Sequence, residues 1–173
     1  MSDVLEALPR LPGTYALILA LDAPRTIPVG RLGERSFDAP YYLYAGSALG
    51  PGGLAGRLAH HLRPVIRPHW HIDALRRHAR IAALWTACDG RRLECAWATA
   101  AGRLRGARVV PGFGATDCAC TGHLVALSGP PKRSRLRHQL RREPLLALRP
   151  CPPIRSYDPA GHRRRVSVRS KDG

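Results

Sequence analysis

From Thr14 the chain runs in strand-like periods, and past Gly50 it turns helical. Residues 14–21, Thr-Tyr-Ala-Leu-Ile-Leu-Ala-Leu, form a nearly unbroken apolar run behind Pro12-Gly13, the pattern of a buried strand. A turn at residues 22–25 leads to a short strand over 27–31, a turn at Gly33 and another short piece reaching Phe37. Ala39-Pro40 then introduces a strand over 41–46, where β-favouring aromatics alternate and Tyr42 and Tyr44 fall on one face. The connections are too short for crossovers, so these segments are expected to form an antiparallel meander.

After a glycine-rich turn at Gly50, Gly52 and Gly53 the period lengthens. Leu54, Leu58 and Leu62 make a helical apolar stripe with Arg57 and His61 stacked at i, i+4 along its edge, ending near Pro64. A second helix is expected over 69–79 with Ile72 and Leu75 inward, a β-like segment over 81–86, and an Ala-rich helix over 91–101 that carries Glu94 and Trp97. Residues 106–121 read as irregular and 122–127 as a closing strand. From Gly129 prolines and arginines dominate; one helical piece is expected around Leu136 and Leu140, with the remainder disordered or loosely docked. The expectation is an α/β fold of the α+β type: a domain over residues 1–128 and a basic Pro/Arg-rich tail over 129–173, partly disordered. No internal repeat is present.

Charge sharpens this picture. The 173 residues hold 28 Lys+Arg against 12 Asp+Glu, a formal +16. Residues 129–173 contribute 13 basic and 3 acidic side chains, and the first 128 the other 15 and 9, so the tail holds most of the excess. Such a balance favours a polyanionic partner, because phosphate neutralisation releases counterions; an arginine-rich, lysine-poor composition is also what a GC-rich genome produces. The five cysteines have no framework spacing, which suggests reduced thiols. The first residues lack the basic and apolar regions of a signal peptide, and no apolar run reaches the roughly 18 residues of a membrane span. A soluble cytoplasmic protein is expected, with no membrane partner.

Several motifs invite chemistry. Gly50-Pro-Gly52-Gly-Leu-Ala55 fits the dinucleotide fingerprint, but the preceding strands form a meander and Asp73 sits within a helical pattern, so no dinucleotide is expected. A P-loop is excluded, since no Gly-Lys-Ser/Thr follows. His69-Trp-His71-Ile-Asp73 mimics a dinuclear metal motif whose last histidine is Ala74 here, and a structural or nucleic-acid-facing role fits it better. Cys118, Cys120 and His123 lie within six residues and could supply three zinc ligands, with a fourth from elsewhere such as His69 or His71; the alternative is small thiols buried in a compact turn. Glu94 is the one acid on its helix. A single carboxylate can suffice for Mg²⁺, which often keeps waters and substrate phosphate as its other ligands.

Gly13-Thr14-Tyr15 and Tyr44-Ala45-Gly46, on two strands, resemble the two halves of the GIY-YIG nuclease signature, and Arg57 and Glu94 follow in that superfamily's order. The likeness extends to the Uri-type endonuclease branch through Val29-Gly30-Arg31-Leu32-Gly33, the 41–62 stretch, His69-Trp70-His71-Ile72-Asp73 and residues 110–118 (Val-Pro-Gly-Phe-Gly-Ala-Thr-Asp-Cys), covering roughly residues 12–127. The resemblance implies a small central antiparallel sheet flanked by helices, and phosphodiester cleavage in DNA, or RNA, with one Mg²⁺ or Mn²⁺. Under it Tyr15 and Tyr44 face the scissile phosphate, Arg57 stabilises phosphoryl charge, His61 relays a proton or holds a tyrosine, and Glu94 holds the metal. Arg31, Gly46, Ser47, Arg63, His69 and His71 are expected against nucleic acid. The signature's isoleucines are Thr14 and Ala45 here. The late asparagine of many relatives has no counterpart, because the chain contains none; either Asp117 or Thr116 stands in for it, or that function is absent. A non-catalytic nucleic-acid-binding module with the same fold is the alternative.

Overall fold

β1 (Gly13–Ala20) is buried at every position, because it runs through the middle of a sheet covered on both faces. The computed structural model describes residues 2–143, 146 and 155–158. In chain order the elements are α1 (Ser2–Ala7), β1, β2 (Arg25–Pro28), a 3₁₀ turn (Gly30–Leu32), β3 (Glu34–Phe37), β4 (Tyr41–Ala48), α2 (Gly53–Leu62), α3 (His71–Arg76), β5 (Arg80–Cys88), α4 (Glu94–Gly102), β6 (Arg108–Val110), β7 (Leu124–Leu127), α5 (Arg133–Leu140) and β8 (Arg155–Tyr157). Six strands form one antiparallel sheet in the order β6-β7-β4-β1-β5-β8, and β2 and β3 make a separate hairpin. The architecture is the expected mixed α+β fold, but the expected meander is not formed: β1 pairs directly with β4, and the intervening β2 and β3 pair only with each other.

Side chains of a strand alternate between faces, and two cores result. Tyr15, Leu17 and Leu19 point into one with Tyr42, Tyr44, Leu54, Leu58, Ile72 and Phe113, beneath α2, α3 and the β2–β3 hairpin. Ala16 and Ile18 point into the other with Leu43, Trp85, Trp97, Leu136 and Leu140, beneath α4 and α5.

Several boundaries differ from the sequence expectation, each for a local reason. The strand over 27–31 stops at Pro28, and residues 30–32 instead close a tight turn through the Leu32 N–H to Val29 and Gly33 N–H to Gly30 bonds. The 69–79 helix is shorter, because Asp73 accepts the Trp70 N–H and fixes the start of α3 at His71. The 91–101 helix begins at Glu94, since Asp89 holds the Arg91 backbone N–H and guanidinium in the preceding turn. β6 arises inside the stretch read as irregular, paired to β7. The helix expected around Leu136 and Leu140 is present, and it belongs to the packed body: both leucines are buried beside Trp97. Glu143 pairs with Arg103 of the α4 C-cap, and β8 extends the sheet at β5. Residues 144–145, 147–154 and 159–173, on which the expectation of a partly disordered tail falls, lie outside the described ones. Among the described residues, no helix is long and apolar enough to cross a membrane.

Candidate active site

Tyr15 of β1 lies directly opposite Gly46 of β4 and leans across it. A Cβ on residue 46 would sit 2.5 Å from Tyr15 Cζ and closer still to the hydroxyl, so the ring occupies the space that glycine leaves. The Tyr15 hydroxyl is 2.7 Å from Nε2 of His61 on α2. Arg57, one helical turn earlier, lays its guanidinium 4.2 Å from the centroid of Trp70, within cation–π range. Trp70 is held in turn by Asp73, a fully buried carboxylate. Asp73 accepts the backbone N–H groups of His69 and Trp70, meets His60 Nε2 at 3.4 Å and accepts Arg76 Nη1 at 3.2 Å. Burial pushes the Asp73 carboxyl up, but the Trp70 and His69 N–H groups and His60 outweigh it, and the group is held below the usual carboxylate range.

Tyr44 faces the same core. Phe113 meets its ring edge-on at 6.2 Å, and Gly114 (φ 73°) passes so close that a Cβ would lie 2.8 Å from Tyr44 Cε2. The Gly114 N–H donates to His71 Nδ1 at 3.2 Å, which ties this loop to the start of α3. Burial pushes the Tyr15 phenol up to about 12, with Arg57 pulling the other way; burial and Tyr15 raise Tyr44 further. His61 is driven down to about 3 by burial and by the charges of Arg76 and Arg57. At neutral pH both phenols are therefore protonated and His61 is uncharged, so the Tyr15 hydroxyl can donate to Nε2 while its lone pairs stay available.

Glu94 stands on the opposite face. It begins α4 and is bonded to Ser47, whose side chain points away from the tyrosines. The Ser47 hydroxyl donates to Oε2, and Arg92 Nε donates to Oε1 at 3.1 Å. The same guanidinium reaches Asp117 Oδ2 at 2.9 Å, so two carboxylates share one cation, and Arg92 holds the Asp117 carboxyl low. β7 pairs with β4 only from Tyr41 to Tyr44, with one more bond from the Ala45 N–H to the His123 carbonyl. Past that point β7 no longer pairs with β4, although Gly46 and Ala48 stay buried. Tyr15 approaches this end of β4 from one face and Glu94 from the other, near enough for the Glu94 charge to contribute to the rise of the Tyr15 phenol. Glu94 and Asp117 are the carboxylates on this face whose oxygens are drawn to a shared cation, the Arg92 guanidinium.

Residues 14–143 match the family described as "Domain of unknown function DUF123". The chain belongs to the DUF123 family. No curated protein and no solved structure matches it. The matched span takes in Tyr15, Tyr44, Arg57, His61, Glu94 and Asp117, and also α5, so the DUF123 unit runs past residue 128.

The residues expected against nucleic acid divide into two groups in this DUF123 chain. Arg31 on the 3₁₀ turn, Arg63 at the end of α2 and His69 before α3 are exposed. Gly46, Ser47 and His71 instead build the site: Gly46 lies beneath Tyr15, the Ser47 hydroxyl donates to Glu94, and His71 Nδ1 accepts the Gly114 N–H. Two clefts flank Trp70. One, of about 330 Å³, is lined by His69, His71, Arg77 and His78; the other, of about 340 Å³, lies between the glycine turn, Arg57 and His60.

Cys118, Cys120 and His123 do come together, but the fourth member is Cys95 on the first turn of α4 rather than His69 or His71. His123 Nε2 is 3.5 Å from Cys95 Sγ and 3.4 Å from Cys118 Sγ. Spacing alone cannot connect positions 95 and 118. The available signal is a cysteine directly following the candidate carboxylate. Burial raises the Cys95 and Cys120 thiols, so neither is an ionised nucleophile on its own.

Proposed function

We propose that this chain is a divalent-metal-dependent endonuclease of the GIY-YIG superfamily, in its Uri-type branch, that hydrolyses phosphodiester bonds in DNA. The observation that carries the reading is the convergence of Tyr15, Tyr44, Arg57 and His61 at one end of β4, with Glu94 at the same end. A phosphate seated there meets a planar guanidinium on Arg57 suited to its oxygens, with an otherwise unpaired buried Nε. One tyrosine hydroxyl orients the attacking water. Its own high pKa makes it a poor base at rest, and His61 holds it in place as a neutral acceptor. Glu94, with Asp117 beside it, would hold Mg²⁺ or Mn²⁺, which supplies polarisation of the phosphoryl group and stabilisation of the leaving oxygen. Arg92 must swing away for that, which its exposed position allows. The reading carries a cytoplasmic location, where thiols stay reduced.

The second reading is a nucleic-acid-binding module without turnover. It draws on the engagement of both Glu94 oxygens by Ser47 and Arg92. A panel of duplex, branched, flapped and single-stranded DNA, with matched RNA, incubated with Mg²⁺ or Mn²⁺ separates the two. The nuclease reading expects metal-dependent cleavage of at least one substrate, lost in Glu94→Ala and lowered by about 10²–10³ in Arg57→Ala, with both variants folded. Cleavage undiminished in both variants overturns these roles. Salt-sensitive binding with no cleavage of any substrate selects the second reading.

A further inference from the structure

We propose that Cys95, Cys118, Cys120 and His123 bind one Zn²⁺ in a closed, structural site that ties α4 to the loop between β6 and β7. Four ligand atoms from two separate chain segments lie within 4.8 Å of one another. A tetrahedron with Zn–S of about 2.3 Å and Zn–N of about 2.0 Å has S···N edges of about 3.5 Å. The two S···N separations here are 3.4 and 3.5 Å. Thiol hydrogen bonding accounts poorly for this arrangement: a neutral imidazole has one acceptor nitrogen, and two thiols converge on it. A cation at the centre satisfies all four groups at once. Three sulfurs and an imidazole form a soft donor set that selects zinc over the hard ions suited to Glu94 and Asp117. Four protein ligands leave no open position, so the ion is structural rather than hydrolytic.

The surrounding chain explains what the ion would accomplish. Between β6 and β7 the backbone has no helix or strand and is secured by only a few bonds, among them His123 N–H to the Phe113 carbonyl at 2.7 Å. The same bond and the Ala45 N–H to His123 carbonyl bond, at 2.9 Å, fix the imidazole's place before metal arrives. Cys95 directly follows Glu94, and Cys118 directly follows Asp117. The ion would therefore set the spacing of the two carboxylates that Arg92 bridges. The site itself does not depend on the nuclease reading, and its test does not use cleavage.

The full chain, made without a histidine tag and purified under reducing conditions, is expected to hold one zinc per chain by elemental analysis. Titration with a mercurial should release that zinc in step with three thiols, and Co²⁺ in its place should show the intense ligand-field band of a tetrahedral thiolate site. Cys95→Ser should weaken zinc retention against a chelator by at least about tenfold, whereas Cys88→Ser should retain it unchanged. Zinc content no higher than the buffer's after loading, an octahedral Co²⁺ spectrum, or a disulfide within the set in the freshly purified chain would each overturn the proposal. The metal release and Co²⁺ spectrum are read on the unaltered chain, so they decide the matter even if Cys95→Ser fails to fold.

Discussion

Gly46 can be no other residue while Tyr15 keeps its place. Any Cβ there meets a ring that is itself 1% exposed and bonded to His61, so neither partner can retreat. Gly46→Ala is expected to lower stability by about 1–3 kcal/mol through overpacking, read as a lower urea midpoint with an unchanged slope; an unshifted midpoint would mean that the ring is not seated there. His61 makes a second residue-level prediction. Its folded pKa near 3 lies far below its ordinary 6.5, so between these values the unfolded chain binds more protons and stability rises with pH. The stabilisation is present at pH 7 and is lost as pH falls through that window, at up to about 1.4 kcal/mol per unit. His61→Gln should flatten that portion of the stability–pH curve. Since His71 and His123, which burial also lowers, titrate in both proteins, the difference between the two curves isolates His61, and identical slopes would contradict its assigned state.

At the scale of elements, α3 is short and owes its position to one carboxylate. Asp73 fastens His69, Trp70, His60 and Arg76, and Arg76 also donates to the Arg63 carbonyl at 2.7 Å, joining α3 to the end of α2. Asp73→Ala leaves the largely buried Arg76 without its counterion and should destabilise by about 3–5 kcal/mol. It should also release Trp70 from Arg57, visible as altered tryptophan fluorescence before global unfolding; stability within error of the unaltered chain would refute the hub. Strands β1 and β4 and helix α2 are legible in the sequence, because their apolar periods are long and end at glycine or proline. Arg57, His61 and Glu94 stand out by their positions in the sequence, but their assignment with Tyr15 and Tyr44 to one site comes only through resemblance to a family's order. The join between Arg92, Glu94 and Asp117 and the fourth thiol at Cys95 are not, since they depend on how α4 packs against a loop more than twenty residues away. β6 and β8, each three residues long, have too short a period to stand out. Asp73 sits in a stretch that mimics a metal motif, and its hydrogen bonds show it capping a helix instead.

For the molecule as a whole, most of the basic excess lies beyond residue 128, and under the proposed function it would raise affinity from outside the site. Cutting at residue 129 would remove α5, whose Leu136 and Leu140 cover the core beside Trp97, so such a cut would confuse loss of binding with loss of fold. Residues 159–173 offer a cleaner cut: they carry Arg163, Arg164, Arg165, Arg169 and Lys171 against Asp172 alone, and lie beyond every residue gathered at the β4 end. Ion pairs from such side chains to phosphates raise affinity without reading sequence. Each phosphate that is no longer neutralised should reduce the slope of log K against log salt by about 0.9. Under the proposed function, removing 159–173 should therefore weaken DNA binding most at low salt and flatten that slope, leaving any cleavage pattern unchanged, because the groups proposed to face the phosphate lie between Tyr15 and Asp117. Measuring binding across a salt series beside the cleavage products tests both halves. A shifted pattern would give the basic end a part in choosing the substrate, and an unchanged slope would leave polyanion binding to exposed side chains of the folded body such as Arg31, Arg63 and His69.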